Sequence, residues 1–205
     1  MPPIPPVGRT SLLAAAIILS ACGDREASTS TALAERVEAL AADSATDTLV
    51  VEGVPQAVAF REVRGSSFPL PFEVRIPEPM AVGTEVADGR AAFRVTQGAA
   101  AAGGLWSVVV LPKGTTEADA RLAAQTAAEA QGTATDAEAP PAAALAAFAT
   151  ARDDRSGSVW LGRHAGQFFL VVTDLSAAVA EGFAPRAAYL VEHWRWLDDG
   201  SALAG

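Results

Sequence analysis

At 205 residues the chain is long enough for one domain with a substantial core, and its formal net charge is −9. That acidity, with no basic stripe, disfavours phosphate backbones and argues against nucleic-acid binding. Half of the residues are hydrophobic but only 6% are aromatic, so alanine supplies much of the apolar share and helix propensity is a weak guide in alanine-rich segments.

Residues 1–10 are proline-rich with one charge, Arg9, and "SLLAAAIIL" (11–19) follows without an ionisable side chain. A spanning helix needs about 20 apolar residues, so this run is short for a stable span and reads as a secretory signal over 1–21. Cys22 is the only cysteine, which excludes an intrachain disulfide. The segment Leu19-Ser20-Ala21-Cys22 resembles the lipobox of bacterial lipoproteins. The resemblance implies a diacylglyceryl group on the Cys22 sulfur, cleavage before Cys22 and acylation of its amine. It also implies a membrane contact made through lipid, since each buried methylene contributes about 0.8 kcal/mol and stable anchoring takes more than one chain. A sulfur so occupied could serve neither as a thiolate metal ligand nor as a nucleophile. The expected location is the cell envelope: the periplasmic side of the outer membrane where there are two membranes, otherwise the outer face of the cytoplasmic membrane.

Residues 22–46 have the composition of a lipidated N-terminus and tether. Within them Leu33, Val37 and Leu40 share a narrow helical stripe, as expected of a short stalk helix or a disordered segment. A single α+β domain is expected over 47–200. "TLVVEGV" (48–54), "AVAFREV" (57–63) and "PFEVRIP" (71–77) read as strands; in the last, Phe72, Val74 and Ile76 alternate with Glu73 and Arg75. "TEVADGRAAFRV" (84–95) predicts a hairpin turning at Asp88-Gly89. "LWSVVVLP" (105–112), apolar throughout, predicts a central strand beyond the linker "GAAAAGG" (98–104). Thr116 with Asp119 predicts a capped helix start over 115–132, and Gly132 a stop. Residues 136–158 read as an insertion with a short helix opened by Pro141 and a charged loop. "SVWLGRHAGQFFLVVTD" (158–174) predicts two strands joined at 164–167. "APRAAYLVEHWRWLDDG" (184–200) predicts a helix with Pro185 near its first position and an apolar stripe of Ala187, Leu190, Val191, Trp194 and Leu197. Residues 201–205 read as a tail.

The predicted fold class is α+β: a mainly antiparallel sheet of about six or seven strands with helices on one face. A β-rich start with "FEVRIPEPM", central hairpins and a closing "YLVEHWRWL" is similar to the Mog1/PsbP-like sandwiches over roughly residues 68–198. That family is functionally diverse, so the likeness implies architecture more than activity.

Candidate chemistry is sparse. His164 and His193 are the only histidines. His164 is expected at a solvated hairpin tip. His193 is expected on the last helix with Tyr189 and Trp196 on the same flank, either packed or acting as base or metal ligand. Ser156-Gly157-Ser158 enters a strand rather than leaving one, unlike a nucleophile elbow. Asp153-Asp154 and Asp198-Asp199 are expected in solvated turns. No EF-hand, H-E-x-x-H or phosphate-loop pattern occurs, so no catalytic residue, metal or cofactor is assigned. The leading expectation is a non-catalytic envelope lipoprotein that binds an envelope protein or assists assembly, through a surface at Tyr189, His193 and Trp196. The second is a small-ligand or lipid carrier with an apolar cavity between sheet and helices. The third is a hydrolase-like enzyme using His193.

Overall fold

Alternating apolar and charged side chains dictate the strand at 72–77, apolar runs dictate the strands at 104–110 and 167–176, and strands make up most of the fold. The computed structural model describes residues 38–39, 45–51, 53–98 and 103–204. The leader, Cys22 and most of the tether, including the stalk residues Leu33, Val37 and Leu40, lie outside the described residues.

The chain runs β1 (Glu38–Ala39), β2 (Ala45–Val51), β3 (Val54–Gly65), β4 (Phe72–Pro77), β5 (Ala81–Ala87), β6 (Arg90–Gln97) and β7 (Gly104–Val110). It continues through α1 (Glu117–Gln131), β8 (Thr133–Asp136), β9 (Ala146–Arg152), β10 (Arg155–His164), β11 (Gln167–Ser176), α2 (Ala180–His193) and β12 (Arg195–Trp196). Pairing of the named strands is antiparallel. A five-stranded sheet runs β1-β3-β4-β12 with β2 also on β3, and a seven-stranded sheet runs β5-β6-β7-β11-β10-β9-β8.

The protein is thus α+β and mainly antiparallel, but it has two sheets, and its helices lie on opposite faces of the larger one. The physical reason is visible in β11. Phe169 and Val171 join Trp106, Val108 and Phe93 in one buried cluster, whereas Phe168 and Leu170 join Leu161 and Val159 in another. A strand apolar on both faces needs cover on both. α1 covers the second face through Ala120, Ala124 and Ala128, all fully buried. The smaller sheet and α2 cover the first through Phe72, Val74, Ile76, Phe183 and Leu190.

Local signals hold where turn chemistry is strong. Asp88 and Gly89 both take positive φ between β5 and β6, as Ala165 and Gly166 do between β10 and β11. The Thr116 Oγ accepts from the Asp119 N–H at 3.2 Å, capping α1, and Gly132 ends it at φ 147. β7 is an interior strand between β6 and β11.

Four expectations are corrected. Residues 136–158 are not an insertion: β8, β9 and the start of β10 extend the larger sheet, and Pro141–Ala144 is a turn closed by the Ala144 N–H on the Pro141 carbonyl. Alanine-rich composition had mimicked a helix there. The last helix begins at Ala180, so Pro185 lies inside it, and it stops at His193 rather than near 200. Residues 38–39 and 45–46 are strand rather than tether, since β1 pairs with β3 at Arg64 and Val63 and β2 begins at Ala45. Among the described residues of the tail, Leu203 lies in the main core and Ala202 is bridged to Arg195.

Trp194 explains the early helix stop. Residues two apart cannot share a helical face, but in extended chain they point the same way. Trp194 takes φ −75, ψ 134, and both Trp194 and Trp196 become buried. Trp194 stacks on Phe72 of the smaller sheet at 4.1 Å and 14°, and contacts Phe93 and Trp106 of the larger sheet at 5.8 and 5.7 Å. Trp194→Ala should therefore lower unfolding free energy by about 3–5 kcal/mol. Leu122→Ala, at 62% exposure, should change it by about 0.5 kcal/mol or less. Urea titration checks both, and a loss at Trp194 no larger than that at Leu122 would contradict this account of the core.

Candidate functional site

α2 has two flanks, and each borders a depression. Its position is set by Phe183, which lies so close over Gly104 that a Cβ there would collide with the ring. From that seat, Ala187, Ala188 and Val191 face one way and Tyr189 and His193 another.

The first depression is an open groove of about 270 Å³ between α2, the larger sheet and the Pro140-Pro141 turn. Trp106, Trp160 and Val171 supply apolar surface from the sheet, and small side chains such as Ala139, Ala147 and Ala188 leave the space unfilled. Ser158 and Thr173 add the hydroxyl groups. They are directly opposite one another on β10 and β11, so the two hydroxyl-bearing positions are adjacent. The arrangement is an apolar slot with one polar pair, which suits a small amphiphile.

The second depression, of about 280 Å³, lies over β4 and is lined by Glu62, Glu73, Arg75, His193 and Arg195. Cross-strand pairing sets its charges opposite one another: Arg64 meets Glu73 at 2.8 Å and Arg75 meets Glu62 at 3.3 Å. All four side chains are more than 40% exposed, so each pair contributes about 1 kcal/mol or less.

Tyr189 and His193 form the wall. The rings stack at 3.7 Å, and Tyr189 also stacks on Phe60 at 4.4 Å. The Tyr189 hydroxyl donates to Asp47 Oδ2 at 3.1 Å. Burial first, and then that hydrogen bond, pushes the phenol up to about 12. The Thr48 backbone N–H and next the Tyr189 hydroxyl hold Asp47 below the usual carboxylate value. His193 Nδ1 lies 3.0 Å from the Tyr189 carbonyl, which can only accept, so Nδ1 carries a proton and donates it to that carbonyl. The imidazole is thereby tied to backbone rather than to a carboxylate or a hydroxyl.

This placement corrects the expected aromatic surface. Tyr189 and Trp196 are buried, at 6% and 2% exposure, and sit on different elements, so they form no exposed flank with His193. Instead Trp196 stacks against His164, at 4.6 Å and 9°. His164 is not a solvated tip either: its side chain is 11% exposed, and Nε2 lies 2.7 Å from Asp198 Oδ1. Asp199 is close by, held below the usual carboxylate value by the Ser201 hydroxyl and then the Ser201 N–H. Ser156 and Ser158 lie in β10, without an elbow. Among the described residues, no helix is long and apolar enough to cross a membrane.

Sequence reasoning offered an apolar cavity between sheet and helices as its second expectation but did not place the lining, because alanine signals neither a wall nor a gap. It missed the His164–Asp198 contact because the two are 34 residues apart. No protein-family model, curated protein or solved structure matches the chain.

The Tyr189 phenol gives a pH test. Its folded value exceeds the ordinary 10.0, so the folded protein keeps a proton that the unfolded chain releases. The associated stability is intact below pH 10 and is lost as pH climbs to about 12. Tyr189→Phe should flatten the fall of the urea midpoint across that window relative to the unsubstituted protein. Parallel curves for the two proteins would show that the phenol is not held as described.

Proposed function

We propose that the chain is a lipid-anchored envelope protein whose domain carries a small amphiphile in the groove beneath α2. The observation that supports the carrier reading is the groove itself, with tryptophan and valine walls, alanine gaps and a paired Ser158 and Thr173. Its volume is near the lower end of the roughly 300–1,000 Å³ of small-molecule sites, which suits a short acyl chain or a single ring system. A partner-binding surface at Tyr189 and Trp196 has less support, because both side chains are buried. The proposal of anchoring rests on "LSAC" at 19–22 after an apolar run. A Mog1/PsbP-like architecture belongs to the same proposal. Its support is the element order, a β-rich first half followed by helix, hairpin and closing helix.

Two measurements test the proposal. Mass spectrometry of the native product should find Cys22 as first residue carrying acyl chains; a free thiol or another start site would remove the anchor. For the groove, the full-length protein is reconstituted in lipid nanodiscs and titrated with dansyl-undecanoic acid. Trp106 and Trp160 should transfer excitation to the probe saturably, and decanoate should compete. Ala188 is exposed at the rim, so Ala188→Phe should keep the fold while weakening binding at least tenfold. Transfer that does not saturate, or that survives Ala188→Phe, would overturn the carrier.

A further inference from the structure

The geometry points to a divalent transition-metal site, independent of the groove, made by His164, Asp198 and Asp199. One ligand atom from each of the three lies within 4.8 Å of the others. Metal–ligand bonds to imidazole and carboxylate are about 2.0–2.2 Å, so two ligands of one ion are separated by about 3–4 Å. The His164 Nε2 to Asp198 Oδ1 separation of 2.7 Å is nearly there; both aspartates are exposed, and Asp199 Oδ1 accepts the Ser201 N–H at 2.8 Å, which orients its carboxylate.

Two rigid turns present these groups. His164 ends β10 at a two-residue hairpin turn, and its ring is fixed flat against buried Trp196. The aspartates cap a second, closed turn: the Trp196 N–H bonds the Ser201 carbonyl and the Gly200 N–H bonds the Trp196 carbonyl. Leu197 N–H fastens that turn to the Pro71 carbonyl. The ligands therefore come from elements already held by packing, the condition under which a site is preorganised.

The donor set selects the metal. One imidazole nitrogen with two carboxylates suits zinc and its late first-row neighbours, whereas magnesium and calcium favour all-oxygen shells. The contact between His164 and Asp198 engages one carboxylate only. A divalent cation would neutralise both and take the imidazole as a neutral ligand, leaving further coordination positions to water.

Calorimetric titration of the full-length, chelator-treated protein with zinc chloride tests the site, with magnesium and calcium chloride in parallel. One zinc ion should bind per chain, raise the melting temperature and outcompete the other two metals. Asp199→Asn, at an exposed turn, should preserve the fold and weaken zinc binding at least tenfold; His164→Gln should do the same, and His193→Gln should have no effect. Absence of zinc binding by the unsubstituted protein would overturn the site. So would binding that survives both Asp199→Asn and His164→Gln, or that is lost with His193→Gln.

Discussion

The stack of Trp194 on Phe72 is the contact on which the rest of the architecture depends. Phe72 belongs to the smaller sheet, and the same indole reaches Phe93 and Trp106 of the larger one, so a single side chain closes the gap between two layers. An indole can occupy that position only if the chain leaves its helix at His193. Once extended, it carries Trp196 into register with Phe72 and Arg195 with Glu73. β12, the closed turn at Asp198-Asp199 and the packing of Leu203 all follow from that one departure.

The larger sheet imposes a second constraint through its two apolar faces. On one face α1 presents only alanine at its fully buried positions, which permits close approach over a broad area without deep interlocking. On the other face the cover is uneven. The smaller sheet packs tightly over β6 and β7, α2 spans the middle, and beyond it alanines in the turn before β9 leave the groove open. Small residues thus do opposite things on the two sides: they bring a helix down in one place and leave a space in another.

Much of this was legible in the residues. Asp88-Gly89, the Thr116 cap and the alternation of Phe72, Val74 and Ile76 each act through local geometry, so they specify the same element in isolation and in the fold. The 136–158 segment was not legible, since alanine is compatible with both helix and strand and only pairing to β10 decides. Nor was the boundary of α2, where a periodic stripe through Leu197 suggested helix while burial of two tryptophans favoured extended chain. The tertiary term won because the core gains two indoles by it. The candidate sites were hidden for a related reason. The predicted hairpin sets Ser158 opposite Thr173, but a groove forms over them only once α2 is seated. His164 meets Asp198 only once the chain beyond α2 has folded back.

The distribution of titratable groups follows from the same layering. Sheet pairing, rather than attraction, sets Glu62 against Arg75 and Arg64 against Glu73, which is why these ions remain half exposed and weakly stabilising. His164 and Tyr189 differ because each is flattened against a buried ring, Trp196 and Phe60 respectively, and so has few alternative orientations. A polar group held that way loses little entropy when it engages a partner, whether a carboxylate already present or a cation yet to arrive. The aromatic core therefore does more than hold the layers together. It orients the few side chains in this acidic, alanine-rich surface that are equipped for chemistry.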